Sequence, residues 1–385
     1  MRGSRPKTCG KRLLLTLAAL VLLTGCRGVP VRVCTDNRLA ITTPVQATVK
    51  ADLQAGQNRE PLRAVTVQTR STGGAADCKI AIIDVDGLLV PTNMVGPYSS
   101  GENPVALFRE KLDLAAKDPS IRAVILRIDT PGGGVTACDM MRHDLMQFRE
   151  KTGRPVVAFL MGTAAGGGYY LATGADAIVA HPTSITGGIG VVLNLYNLQD
   201  TMAQMNIFPQ TIKSGPMIDM GSPTATLTPE AKAWLQQMSD EFHARFRQVV
   251  LESRPVVGAN EPTNFDGRVF TAGQARQRGL IDEIGYLETA ISVAESRIPS
   301  QSRPKAGSLV MFRREGETAH TPWDVTPNTP LQTTLFPVRL PGLQRPALPL
   351  FLYMWQLDPA AECVVSAQRR EPQMAVAQTS GGSMH

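Results

Sequence analysis

VVAFLMGTAAGGGYYLATGA, residues 156–175, is the stretch whose reading decides the fold. An apolar run, Val156–Leu160, leads into a corner of small residues, Thr163–Tyr170, and then into Leu171-Ala172-Thr173-Gly174-Ala175. The order predicts strand, corner and helix, with the helix over Gly167–Gly174. Ala and Gly at a corner let the backbone approach another group closely, because little or no side chain intervenes. A helix starting there points unpaired N–H groups at whatever occupies the corner. The geometry suits chemistry, yet the corner carries no evident nucleophile.

Working outward, the same alternation repeats. Lys79–Val85 (KIAIIDV), closed by Asp86-Gly87, reads as a strand buried on both faces. Asn103–Lys117 has apolar residues at helical spacing. Ala123–Ile128 (AVILRI) is a second buried strand and runs into Asp129-Thr130-Pro131-Gly132-Gly133-Gly134, which reads as a tight turn. A helix over Asp139–Glu150 and a strand over Pro155–Leu160 follow, then short strands at Ala177–Ala180 and Gln210–Lys213. Ser184–Val192 is glycine-rich. Helices are expected at Leu198–Met205, Thr228–Glu252, Thr271–Arg278 and Leu287–Arg297, with Thr228 as cap and Pro229 in the first turn of the long one. Alternating strands and helices predict an α/β domain with a largely parallel sheet.

In such a sheet, neighbouring strands present their C-terminal loops on one edge, where ligands bind. The P-G-G-G run at 131–134 and the A-A-G-G-G run at 164–168 therefore form a candidate pair. Gly133 and Gly167, with Gly134 beside them, are the candidate oxyanion-hole and substrate-binding residues, offering backbone N–H groups to a carbonyl oxygen. Glycine used only for tight packing is the alternative reading of either run.

The ordered set AVILRIDTPGGG (123–134), VVAFLMGTAAGGGYYLATGADAIVAHPTSITGGIGVV (156–192), TIKSG (211–215) and FDGRVFTAGQARQRGLIDEIG (265–285) resembles the signal peptide peptidase A (protease IV) peptidase family. The resemblance covers residues 79–297, over half the chain. It implies a crotonase/Clp-protease-like fold, cleavage of peptide bonds by a Ser/Lys dyad, membrane-derived or signal peptides as substrates, and homo-oligomeric rings at a membrane surface. In that family the Ser attacks the carbonyl while a Lys of lowered pKa takes its proton. The family's A-A-S-G-G-Y-Y corner reads Ala164-Ala165-Gly166-Gly167-Gly168-Tyr169-Tyr170 here, so Gly166 stands at the nucleophile position. The family's base position aligns to Ile218, in Lys213-Ser214-Gly215-Pro216-Met217-Ile218-Asp219. Lys213 is the nearest candidate substitute base, and Thr163, Ser184 and Ser214 are the neighbouring hydroxyls. Both dyad members are thus expected to be missing, which makes a peptide-binding or scaffolding pseudopeptidase the first reading. An active peptidase with a relocated nucleophile or base is the second. Acyl-thioester chemistry of the crotonase kind is the third, and it would need coenzyme A in an exported protein.

The flanks carry other signals. Residues 1–12 are basic, 13–23 (LLLTLAALVLL) are apolar, and Leu23-Thr24-Gly25-Cys26 resembles a bacterial lipobox. Residues 1–25 are expected as a lipoprotein signal peptide, with acylation of Cys26 anchoring the protein at the periplasmic side, the outer membrane being favoured because Arg27 replaces the Asp that retains lipoproteins at the inner membrane. Export places Cys34, Cys78, Cys138 and Cys363 in an oxidising compartment, where a Cys34–Cys78 bridge is compatible with the sequence, whose connectivity stays open. Residues 26–78 form an N-terminal extension with candidate strands at Val45–Val49 and Ala64–Gln68, and a small-residue link at Ser71–Ala76. Residues 298–385 are expected as a Pro-rich arm and tail, in which Leu348–Trp355 (LPLFLYMW) is apolar enough to dock on the core or on another subunit, and 366–385 is Gln/Ser/Gly-rich.

The chain has 385 residues, 43% of them hydrophobic, and a formal net charge of +6 that sits partly in the basic leader. That balance does not argue for nucleic acid. No C-x-x-C or H-E-x-x-H pattern occurs, so no metal or other cofactor is expected.

Overall fold

The computed structural model describes residues 61–69, 78–93, 102–255, 257, 262–299, 307–315, 317, 319–326 and 351–355. The leader, Cys26, Cys34, Val45–Val49, Ser71–Ala76, Cys363 and 366–385 lie outside these residues. In chain order the elements are β1 (Leu62–Thr69), β2 (Lys79–Leu89), α1 (Pro104–Lys117), β3 (Ile121–Gly134), α2 (Val135–Thr152), β4 (Val156–Ala165), α3 (Gly167–Ala172), β5 (Ala177–Ala180), β6 (Ile185–Gly187), α4 (Gln199–Gln204), α5 (Pro229–Ser253), β7 (Val269–Thr271), α6 (Ala272–Gln277), β8 (Glu283–Ile284), α7 (Leu287–Arg297), β9 (Ser308–Arg314) and β10 (Leu352–Met354).

One sheet carries all the strands of the described residues, in the order β1-β9-β2-β3-β4-β5-β8, with β6 beside β4, β7 beside β6, and β10 beside β3. The strands β9, β2, β3, β4, β5 and β8 run parallel to one another, and helices make the β2–β3 and β3–β4 crossovers, as parallel pairs require. The expected α/β class with a mostly parallel sheet is what the chain forms. Side chains alternate across a strand, and the central strands are apolar on both faces for that reason. Ala81, Ile83, Val124, Leu126, Ile128, Val156, Ala158 and Leu160 pack with the helices α1, α2 and α3. Ile80, Ile82, Ala123, Ile125, Val157 and Phe159 face the other way, onto Leu287, Ala290, Ile291 and Ala294 of α7. The long helix α5 starts as its sequence predicts, with Pro229 in its first turn and the Thr228 hydroxyl accepting from the Ala231 N–H at 3.1 Å.

Several expectations need correction. The 129–134 run is not a turn. It is extended, because β2 pairs with it through Leu88 and Leu89 on one side and β10 through Leu352–Met354 on the other. The following helix therefore starts at Val135 rather than Asp139. Gln210–Lys213 forms no strand; it lies exposed and unpaired to any strand among the described residues. The stretch from 298 onward is more than an arm. Its SLVMFRR segment, Ser308–Arg314, is β9, lying between β1 and β2. Ala64–Gln68, as expected, is strand, but β1 joins this same sheet antiparallel to β9. The sheet thus continues past both 79 and 297. Cys78 and Cys138 are buried free thiols among the described residues.

A buried charged cluster ties the late segment to the core. Lys111 Nζ lies 2.6 Å from Asp84 Oδ1, with both side chains almost fully buried. Thr326 completes the set: its hydroxyl accepts from Lys111 at 2.8 Å and from Arg313 at 2.6 Å, and its N–H donates to Asp84 at 2.6 Å. Burial works against the Asp84 charge, yet Lys111 and Arg313 hold that carboxyl well below the usual range. Asp86 goes the other way. Burial, with the neighbouring Asp84 carboxylate, pushes it up to about 7 in spite of Arg127.

Two outcomes are expected. Removing one partner of a buried ion pair leaves the other uncompensated, so Lys111→Met should cost about 3–5 kcal/mol, read as a lowered midpoint of chemical denaturation. For Asp86, the unfolded chain releases its proton at about pH 4, whereas the folded protein keeps it to about 7. Its contribution is therefore complete below about pH 4 and is lost as pH rises to 7. Asp86→Asn should flatten that decline and stabilise the protein at pH 8 relative to the parent; an unchanged pH profile would contradict the assignment.

Candidate active site

The corner expected from the sequence is a sharp strand-to-helix turn. β4 ends at Ala165, α3 begins at Gly167, and Gly166 between them has φ 53° and ψ −118°. This is the kind of strained turn on which hydrolases present a nucleophile. Its backbone is clamped. Gly166 N–H donates to Gly187 O at 2.9 Å, Gly166 O accepts from Tyr170 N–H at 2.9 Å, and the Thr186 hydroxyl donates to Ala164 O at 2.7 Å.

The second glycine run lies against the first because the sheet opens there. β3 and β4 pair through Thr130↔Ala164 and then separate, while on its other edge β4 is held by β6 from Thr163 to Ala165. The edge of β3 left by β4 is filled by β10, in antiparallel register Leu352↔Gly134, Tyr353↔Gly133 and Met354↔Gly132. Hydrogen bonds extend that pairing: Val135 N–H to Phe351 O at 3.3 Å and Trp355 N–H to Pro131 O at 3.0 Å. The other edge of the inserted strand bonds Val192, through Val192 N–H to Leu352 O at 3.0 Å and Leu352 N–H to Val192 O at 3.1 Å. The sequence allowed Leu348–Trp355 to dock on the core; its described part, 351–355, docks in the candidate site itself.

One backbone carbonyl marks the centre. A β-carbon on Gly132 would overlap Tyr353 O and lie 2.7 Å from Gly167 N. A β-carbon on Gly166 would stand 2.5 Å from Tyr353 O, 2.8 Å from its carbonyl carbon and 3.0 Å from Met354 Cα. On Gly167 it would stand 3.2 Å from the same oxygen. The structure thus brings Gly132, Gly166 and Gly167 around a peptide carbonyl, with Gly133 opposite its residue in the ladder and Gly134 one position further along. Gly132 is the member the sequence reading did not single out. Its φ of +113°, which a side chain rarely adopts, is the property that would have marked it, and it is invisible in a run of three glycines.

The other candidates are elsewhere engaged. Lys213 Nζ lies 2.8 and 2.9 Å from the Asp219 carboxylate oxygens, and its hydrogen bond holds Asp219 below the usual carboxyl range. Ile218 is 72% exposed and carries no proton acceptor. Ser214 is exposed. The Ser184 hydroxyl is buried without a hydrogen-bond partner among the described residues, but its residue precedes β6, and the register sets Ile185 beside Thr163, three residues before Gly166. Thr163 donates its N–H to Asp129 Oδ1 at 2.9 Å. Tyr169 and Tyr170 are structural: their hydroxyls donate to Leu280 O at 2.8 Å and to Asp139 Oδ1 at 2.5 Å. Burial pushes both phenols up. Burial also opposes the Asp139 charge, but hydrogen bonds from Tyr170 and Arg245 hold that carboxyl below its ordinary value.

Comparison with known proteins places this architecture. The family model described as Peptidase family S49 matches residues 148–298. A putative protease of Synechocystis is 34% identical over 212 residues, which cover 55% of this chain and 72% of the relative. This chain belongs to peptidase family S49. Protease 4 of Salmonella typhi is 27% identical over 260 residues, covering 67% of this chain and 41% of the relative. A putative signal peptide peptidase SppA of Enterococcus faecium is 29% identical over 218 residues, covering 57% and 63%. The chain therefore spans less than two thirds of each of these last two relatives.

Within this S49 chain, the corner geometry gives a direct expectation. A side chain at 166 meets both an unfavourable φ and the Tyr353–Met354 peptide. Gly166→Ala and Gly166→Ser should each destabilise the protein by about 1–3 kcal/mol, seen as a lower melting temperature. Either substitution should also make the 351–355 segment more susceptible to limited proteolysis. A variant as stable as the parent would show that the corner is not strained.

Proposed function

We propose that this S49 family member holds extended peptides in its cleft without hydrolysing them. The observation that carries this reading is Gly166: the strained corner that presents a nucleophile in such a fold has no side chain to present. Two features add support. The aligned base position is the exposed Ile218, and the amine closest to it in sequence, Lys213, is occupied by Asp219. Removing a serine nucleophile from a hydrolase costs about 10^6-fold in kcat, so what remains is the binding half of the apparatus. The glycines around Tyr353 O illustrate that half, since they accommodate a peptide carbonyl at a corner residue that carries no hydroxyl.

In this proposal the ligands are peptides, among them signal-peptide remnants. The protein acts at a membrane surface as a homo-oligomer, held through acylated Cys26 on the periplasmic side, with the outer membrane favoured. Among the described residues no helix is long and apolar enough to cross a membrane. Acyl chains on a single cysteine supply anchoring of a kind that needs no spanning helix. Incorporation of labelled fatty acid that is lost in Cys26→Ser checks this part.

The central test is incubation of full-length protein with casein and with synthetic signal peptides, beside a fluorophosphonate probe. The expected result is no turnover above the background of the Lys213→Ala, Ser214→Ala and Ser184→Ala variants, and no probe labelling. Labelling of the parent that one of those serine substitutions abolishes would overturn the proposal in favour of a relocated nucleophile.

A further inference from the structure

The Ala319–Thr326 segment is fastened to the core by polar contacts. Trp323 and Val325 are half-exposed, and no residue of the segment belongs to either apolar cluster of the core. Buried charged side chains hold it instead. Arg127 donates to Pro322 O, and to Asp324 O at 3.1 Å. Arg313 donates to the same Asp324 oxygen at 2.7 Å and to Thr326 Oγ1 at 2.6 Å. Lys111 donates to that hydroxyl at 2.8 Å, and the Thr326 N–H donates to Asp84 Oδ2 at 2.6 Å. The segment also keeps its own shape. The Asp324 carboxylate turns back to accept from the His320 and Thr321 N–H groups at 2.6 and 3.0 Å, and these bonds hold it below the usual carboxyl range.

Lifting such a segment uncovers little apolar surface, whereas loss of apolar burial is the main cost of opening elsewhere in a fold. It also returns buried charges to water and leaves them paired: Lys111 keeps Asp84 Oδ1 at 2.6 Å, and Arg127 keeps Asp86. The hold of Arg127 is contested. Its Nη2 lies 3.1 Å from Asp324 O and 3.4 Å from Asp86 Oδ2, so one nitrogen serves a carbonyl of the segment and a carboxyl of β2. A neutral carboxyl competes weakly for that nitrogen, whereas a carboxylate adds its own charge to the bond.

We propose that Ala319–Thr326 is a polar latch that lifts from the sheet as a unit while the sheet stays folded, with Arg127 exchanging the latch carbonyls for Asp86 as it opens. The charged groups around Asp86 are Asp84 on its own strand, Arg127 and Asp129 on β3, and Lys111 on α1. Arg313 of β9 reaches Asp84, 3.5 Å from its Oδ1, while on the latch itself the Asp324 carboxylate is engaged with His320 and Thr321 and the His320 side chain is exposed. In the closed state burial, with the Asp84 carboxylate, pushes Asp86 up to about 7. Opening hydrates it and returns it toward the ordinary value of about 4. The ionised form therefore favours the open latch, and the opening constant rises with pH from about 4 to about 7 and levels off above that.

Native-state hydrogen exchange on the full-length protein tests this at pH 5 and pH 8, with and without about 1 M urea. The Thr326 amide, which donates to Asp84, reports on the latch, and the amides of Val124–Ile128 in β3 report on the sheet. At pH 8 the protection factor at Thr326 should lie at least about 10-fold below those of β3, and urea should leave it unchanged because so little surface is uncovered. From pH 5 to pH 8 it should fall by about 10- to 100-fold in the parent, and by less than about 2-fold in Asp86→Asn, which is neutral at both values. Thr326→Val, which removes the hydroxyl bonded by Lys111 and Arg313, should lower protection at 326 at both pH values and keep the pH dependence.

Exchange at 326 that matches β3 in protection and in urea dependence would overturn independent opening. A fall with pH as steep in Asp86→Asn as in the parent would overturn the part of Asp86, and a parent protection factor that does not fall between the two pH values would do so without any variant. Unchanged protection in Thr326→Val would overturn the hydroxyl as a fastening of the latch.

Discussion

The architecture turns on one point of close approach, where three glycines crowd a single carbonyl oxygen. Gly132 at the end of β3, Gly166 at the corner and Gly167 at the start of α3 each come so near Tyr353 O that a β-carbon would touch or overlap it. Backbone can approach backbone in this way only where side chains are missing. At Gly132 and Gly166 the lack of a side chain is therefore a demand of the space between the runs, whereas Gly133, Gly167 and Gly168 lie first against Leu89, Cys138 and Thr130.

What holds the two runs at that distance is the sheet. β3 and β4 are locked side by side through Val124–Ile128 and Val156–Leu160, with apolar residues on both faces, and they part only after Thr130. The opening is consequently a fixed feature of a well-packed core. The clamp at Gly187 and Thr186 fixes the corner from the β4 side, while Leu88 and Leu89 hold the glycines of β3 extended from the other. At the opposite margin of β2, the Asp84–Lys111–Arg313–Thr326 cluster binds helix α1, strand β9 and the 326 segment into the same body. Such a cluster adds little net stability over an apolar core of the same volume, but it is costly to break.

Much of this was legible in the sequence, and the limits have physical causes. The central strands were readable because burial on both faces demands unbroken apolar runs, as in Ala123–Ile128. The helices α5 and α7 were readable from their period and, for α5, from Thr228 and Pro229. The 129–134 run was misread as a turn because glycine is compatible with both states, and only its partners, Leu88–Leu89 and Leu352–Met354, decide for the strand. β9 was hidden inside a Pro-rich stretch, although SLVMF has the makings of a buried strand. The absence of a hydroxyl at 166 and of an amine at 218 could be read residue by residue from the family resemblance. That the corner is filled by residues nearly 190 positions downstream could not, since no local pattern encodes a long-range pairing.

The missing hydroxyl and the inserted strand are best treated as one physical fact. At φ 53° any residue with a β-carbon stores strain, and a nucleophilic enzyme tolerates that strain because the side chain it exposes does chemistry. At a corner that exposes no reacting group, as proposed here, nothing would offset the strain, and glycine relieves it. The same replacement removes the atom that would stand 2.8 Å from the Tyr353 carbonyl carbon. The space that a side chain at 166 would fill is the space that the Tyr353–Met354 peptide occupies. A serine placed at 166 would therefore not by itself open the corner, because it would have to evict a strand hydrogen-bonded on both edges and anchored by an enclosed tyrosine.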